Sequence, residues 1–221
     1  MADEDGTGIA DPSQIGEYVE DTYGGTVSSM MPADRAEQLM AEVNQNLASQ
    51  GVPAVYWQWG ASAGASGEFD AAAWTMSLNE VEFSDPDGEY DTAVLTARHD
   101  EVAQTVYHEA RHAEQCFRCC RERIGLGATP AQVYEAMQAG STPVPPMWLI
   151  EMAAADPILQ CDTSQYEAEQ WYRSMYGDLS DERLDALDHG TYDDYRNLPE
   201  EADAWATDDA VGEGYRQHDN P

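Results

Sequence analysis

Residues 107–115 read YHEARHAEQ, and the conformation of this stretch decides what the rest of the chain is built around. On an α-helix, residues four apart lie one turn apart on the same face. His108 and His112 would then point the same way and could share a cation, with Glu109 beside them where water on that cation would sit. The competing reading is an ordinary helix whose two histidines face solvent or hydrogen-bond to neighbours. The flanks bear on the choice. From about Arg98, Val102, Val106, Ala110, Ala113 and Phe117 recur at helical spacing, and Gly125 offers a stop. The motif therefore falls deep inside a long predicted helix, backed by valine and alanine.

Working outward, residues 1–12 read as an acidic, glycine-containing tail, and residues 13–221 as a single domain. SQIGEYVEDTYG and PADRAEQLMAEVNQNLASQG follow as two predicted helices. The second opens near Pro32, carries Ala36, Leu39, Met40, Val43 and Leu47 on one face, and stops at Gly51. The pattern then changes to β: VPAVYWQWG is aromatic and β-branched, GASAGASGE is a loop, and AAAWTMSLNEVEF alternates as a strand, with Trp74, Met76 and Leu78 on one side. SDPDGEYD is a turn cluster whose carboxylates resemble a calcium loop only in part. After the long helix come TPAQVYEAMQAG, PPMWLIEMAAADP, SQYEAEQWYRSMYG and LSDERLDALDHG, all helical in period, and a last helix opens after Pro199. The fold class is α+β: helix-rich, with a small sheet packed on the motif helix.

The formal net charge is -33, from 43 acids against 10 basic residues, and all of those ten are arginine. Such a surface repels phosphate, so neither nucleic acid nor an anionic membrane is an expected partner. A saline habitat or selection for solubility explains the acidity. The absence of lysine also suits a protein that works inside foreign cells, where the ubiquitin machinery modifies lysine amines. The N-terminus has neither the basic nor the apolar region of a cleavable signal, and no run of 18 apolar residues occurs. The expected location is the cytoplasm of the producing cell, or export without a cleavable signal peptide.

Cys116, Cys119 and Cys120 cluster in CFRCC, with Cys161 some forty residues on. A disulfide from Cys119 or Cys120 to Cys161, a soft-metal site and buried reduced thiols are the three readings open here.

TVYHEARHAEQ resembles the active-site helix of zincin metallopeptidases. The resemblance implies one zinc per chain on His108 and His112, Glu109 as general base, a protein or peptide substrate, and an edge strand above the helix, for which AAAWTMSLNEVEF is the match. AEQCFRCC lacks the glycine and histidine of the metzincin extension, so a third ligand comes from elsewhere. In the glutamate-ligand branch it is a Glu on a later helix, with a small residue three positions on. YRNLPEEADAW resembles that element and implies Glu201 as ligand, Asp203 as a residue orienting a histidine, and Ala204 as the small residue. A one-residue shift leaves Glu200 open, Glu167 and Glu169 in SQYEAEQW are further alternatives, and an acidic surface helix is the plain one. For the oxyanion, Tyr195, His189 and Arg196 stand unranked, Tyr195 being the one matched to the motif. Arg111 either pairs with a carboxylate or reaches toward substrate. Less specifically, the pattern is similar to compact metallopeptidase domains of bacterial toxins and of effectors of contractile injection systems. The alternative from another class is a non-enzymatic structural or cargo protein of a phage-like or secretion particle, with a stabilising zinc.

Overall fold

The computed structural model describes residues 31–62, 65–84, 92–159 and 163–219. The expected tail, the first predicted helix, most of the SDPDGEYD cluster and Cys161 lie outside the described residues. The described chain is helix-rich with one small mixed three-stranded sheet, an α+β arrangement. No helix among the described residues is long and apolar enough to cross a membrane.

Helix α1 spans Pro32–Ser49. Proline at the first turn needs no N–H partner, and Asp34 meets the positive end of the helix dipole. Its expected stripe is buried: Ala36, Leu39, Met40, Val43 and Leu47 are all essentially inaccessible. The helix ends in a Schellman turn. Gly51 takes φ 72, Val52 N–H reaches back to the Leu47 carbonyl, and Gly51 N–H reaches that of Ala48.

Three short strands follow, β1 (Tyr56–Trp59), β2 (Gly67–Asp70) and β3 (Thr75–Leu78), in the order β1-β3-β2. Here the sequence reading needs correcting. The strand expected across AAAWTMSLNEVEF is only Thr75–Leu78, because each flank has a local hydrogen-bonding alternative. Asp70 Oδ1 accepts the N–H groups of Ala72 and Ala73, which folds residues 71–74 into a turn. Trp74 leaves that turn with φ 54, a left-handed backbone unusual for so large a residue, while its side chain is fully buried. On the other side Asn79 Oδ1 accepts Val81 N–H and caps a short helix α2 (Glu80–Phe83). The turn also creates β2, an edge strand out of sequence read partly as loop.

Helix α3 spans Thr92–Gly125, longer than expected at its N-terminal end. Then come α4 (Pro130–Met137), α5 (Met147–Ala153), α6 (Thr163–Met175), α7 (Ser180–His189), a short α8 (Tyr192–Arg196) and α9 (Pro199–Asp219). Thr129 and Gln132 form a capping box at the start of α4, as Thr191 and Asp194 do for α8.

The chain divides into two compact units, and α3 and α9 each run through both. The first takes in the described residues of Met1–Phe69, Met76–Arg111 and Ala204–Pro221. Its core combines the α1 stripe with Met76, Leu78, Val102, Val106 and Val211. Asn46 donates to the buried Tyr107 hydroxyl at 2.9 Å, tying α1 to α3, and the Asn44 side chain grips both the N–H and the carbonyl of Val55 ahead of β1. The second unit is Asp70–Thr75 with His112–Asp203. Its core gathers Phe117, Val133, Met137, Leu149, Ile150, Trp171 and Met175. Arg123 lies 4.0 Å over the Tyr172 ring and Arg118 5.1 Å over Trp171, joining α3 to α6 by cation–π contacts.

Gly125 marks a close backbone approach in this second unit. Ile158 N–H donates to the Arg121 carbonyl, and a Cβ at Gly125 would stand 1.7 Å from the Ile158 carbonyl oxygen. Backbone cannot yield as a side-chain tip can. Gly125→Ala is therefore expected to lower the unfolding free energy by about 3 kcal/mol, read as a lower urea midpoint; an unchanged midpoint would mean that the two segments do not approach so closely.

Candidate metal centre

The long helix delivers the expected spacing. His108 and His112 lie one turn apart on α3, and their ring nitrogens, with a carboxylate oxygen of Glu201 on α9, form a group whose three donor atoms all lie within 4.8 Å of one another. This is a set that can hold a metal ion. His108 and Glu201 are buried, and His112 is partly exposed.

The separation of His112 Nε2 from Glu201 Oε2 is 3.5 Å. A good N–H···O hydrogen bond would be near 2.9 Å. Two donors on one tetrahedral zinc, with bonds of about 2.0–2.1 Å, stand about 3.3 Å apart. The observed gap fits donors facing a shared cation better than a direct hydrogen bond.

The register of α9 separates Glu201 from its neighbour. Glu200 is also buried, but its Oε1 accepts from Arg183 Nε at 2.7 Å, and its backbone carbonyl accepts from the Gln115 amide at 2.8 Å. Glu167 is turned to Arg118, 3.1 Å away. It is Glu201 that faces His112.

Each histidine is braced. The His108 ring meets Trp205 edge-on, with centroids 4.9 Å apart and planes at 69°. His112 Nδ1 lies 2.9 Å from Gln115 Oε1, and Gln115 Nε2 donates to Asp203 Oδ2 at 2.6 Å as well as to the Glu200 carbonyl. Asp203, expected beside a histidine, thus reaches His112 through Gln115. The sequence reading named neither Trp205 nor Gln115. Spacing could have found both: Gln115 is three residues beyond His112 and Trp205 four beyond Glu201, each on its ligand's own helix face.

Glu109 is half-buried, and its Oε2 accepts the backbone N–H of Phe69 on β2 at 2.9 Å. Edge strand and motif helix are therefore joined by a carboxylate. The residues named for the oxyanion sit otherwise. His189 is exposed, 3.5 Å from Asp185; Tyr195 is half-buried with its ring 6.5 Å from that of Tyr192; and Arg196 lies over Tyr192 at 5.9 Å. Arg111 is buried.

The cysteines do not join this group. Cys116 Sγ lies 3.3 Å from the Tyr176 hydroxyl, Cys119 donates to the Ala168 carbonyl, and Cys120 faces Met137 Sδ. Three thiols on one helix thus take three directions. Burial pushes the Cys116 thiol up to about 12 and raises the other two well above the usual range. They are the reduced, buried thiols of the plain reading, and the proposed partner Cys161 is outside the described residues.

Comparison of the chain with protein-family models, with curated proteins and with solved structures gives no match.

Two outcomes follow. After dialysis against metal-free buffer, Glu201→Ala should retain markedly less zinc than the parent, whereas Glu200→Ala should keep the metal while losing stability through the stranded Arg183; equal zinc in parent and Glu201→Ala would move the third ligand elsewhere. Since only the thiolate reacts, the three cysteines should resist iodoacetamide at pH 8 in the folded protein and react once urea is added. Rapid native alkylation would contradict their burial.

Proposed function

We propose that this chain is a zinc-dependent metallopeptidase of the zincin type, with His108, His112 and Glu201 as ligands and Glu109 as general base. The observation that carries the reading is a three-donor group, two histidines and one carboxylate, with Glu109 next to His108 in the sequence of the helix that supplies both histidines. Structural zinc sites usually take four protein ligands, whereas catalytic ones take three and keep a position open. Among the described residues the group has three.

Zinc, when bound, would supply a water acidified toward a pKa of about 7 and a Lewis acid for the substrate carbonyl. Glu109 takes the proton of the attacking water and returns it to the departing amine. Its hydrogen bond to Phe69 restrains the carboxylate against rotation, so little entropy is lost in aiming it. The base also lies beside an edge strand, where an extended peptide can add its own backbone pairing. Tyr195 is the residue assigned to the oxyanion, on the strength of its place in YRNLPEEADAW. An acidic chain without lysine suits an exported or injected effector acting on protein.

The depth of His108 and Glu201 favours one other reading, an ion that stabilises a non-enzymatic component of a secretion particle. A chelator separates the two. For the enzyme it should abolish peptide cleavage with the helical circular dichroism kept; global unfolding with no cleavage at any stage would favour the stabilising ion. Glu109→Gln should lower kcat/KM on a peptide library by about 10²–10⁴-fold with zinc retained, and His112→Ala should lose both. A fully active Glu109→Gln protein would remove the mechanism.

A further inference from the structure

We propose that Gln115 is a positioning residue for the metal: a carboxamide relay that fixes the tautomer of His112 and aims its Nε2 lone pair at the ion. The inference rests on the metal-site reading above and goes beyond it, since Gln115 is not among the donors of the group.

A glutamine amide nitrogen carries two N–H groups and its oxygen carries none. Gln115 Nε2 stands 2.8 Å from the Glu200 carbonyl oxygen and 2.6 Å from Asp203 Oδ2. Two acceptors on one side demand two donors, so the amide has a single orientation. Its oxygen is then the atom that faces His112 Nδ1 at 2.9 Å. An oxygen there can only accept, so Nδ1 must carry the proton. A neutral imidazole has one N–H, and Nε2, the atom 3.5 Å from Glu201 Oε2, is left as the lone pair.

The relay also sets position. Gln115 is buried on α3, and both of its acceptors belong to the first turns of α9, on either side of Glu201. One side chain therefore orients the histidine ligand and holds the helix segment that carries the carboxylate ligand. Asp203 keeps the amide from flipping. The polarity runs one way, from His112 N–H through the amide to Asp203, so each link needs a donor facing an acceptor.

The test uses the full chain and zinc as the probe. Zinc affinity is read by competition with a chromogenic chelator, and the His112 tautomer by long-range proton–nitrogen spectra of the metal-free protein at pH 8. The parent should show the Nδ1–H form. Gln115→Leu should lose that preference and bind zinc about 10–100-fold more weakly. Gln115→Glu alone should also weaken binding, because a carboxylate would face Asp203 and the Glu200 carbonyl. Combining Gln115→Glu with Asp203→Asn keeps an acceptor toward His112 and replaces the Asp203 repulsion by a donor from position 203, at unchanged net charge, and should recover part of the affinity, the Glu200 carbonyl still lacking its donor. Rescue of this kind is not expected of a residue that only fills space, and it survives as a test should Gln115→Leu fail to fold.

Parent-like affinity in Gln115→Leu, or a double variant no better than Gln115→Glu, would overturn the relay and leave the zinc site standing. A parent that binds no zinc would overturn both.

Discussion

The register between α3 and α9 is the constraint on which the centre depends. Moving up α3, Gln104 meets Gly212, His108 meets Trp205, His112 meets Glu201 and Gln115 meets Asp203 with Glu200. From Gln104 to His112 the partner numbers fall as the α3 numbers rise, as antiparallel helices require, and Gln115 then reaches to both sides of Glu201. Four residues advance either helix by about 6 Å, so the step from His108 to His112 matches the step from Trp205 back to Glu201. The pairs differ in kind: a glycine that admits a side chain, a ring against a ring, a nitrogen facing a carboxylate, an amide feeding a carboxylate. Sliding α9 by one turn would mismatch all of them together. Between neighbours the rotation of α9 decides: adjacent side chains point about 100° apart, so Glu201 faces His112 while the equally buried Glu200 turns to Arg183.

Much of this was legible in the chain because it follows from period alone. The α1 stripe, the long helix, the two histidines on one face of it and a last helix opening at Pro199 are local consequences of 3.6-residue spacing and of where proline and glycine fall. The small sheet was read poorly for an equally physical reason. Trp74 looks like a strand residue by composition, and only the Asp70 side chain, by capturing two backbone N–H groups, makes residues 71–74 a turn. Asn79 likewise ends β3 by capping the next helix. Such competition between side-chain and strand hydrogen bonding is not visible in hydrophobic alternation. At the centre, the motif points to His108, His112 and Glu109 as candidates, but the atoms that brace the histidines sit on partner surfaces that spacing cannot pair. Gln115 lay inside the quoted stretch, yet its role depends on Asp203, 88 residues away.

The thiols show the same limit from the other side. The CxxC spacing of Cys116 and Cys119 invites a soft metal, although the adjacent Cys119 and Cys120 diverge on a helix. Their surroundings decide otherwise, since a hydroxyl, a backbone carbonyl and a thioether each claim one sulfur and burial keeps the thiols protonated. Side-chain periodicity gives direction; chemistry depends on what stands opposite.

The arginines carry a consequence for the molecule as an ion. Arg118, Arg121, Arg123, Arg173, Arg183 and Arg216 each face a carboxylate of the chain itself, and two of them also cover aromatic rings. Cations so engaged are poorly placed to neutralise the remaining acids, and the net charge of -33 surrounds the protein with a cloud of counter-ions. A divalent ion is enriched in such a cloud more steeply than a monovalent one. Such a field would raise the rate at which a cation meets the two histidines without contributing a ligand. Salt, which shortens the reach of that field to about 10 Å at 0.1 M, would weaken this enrichment while leaving the geometry of the side-chain group unchanged.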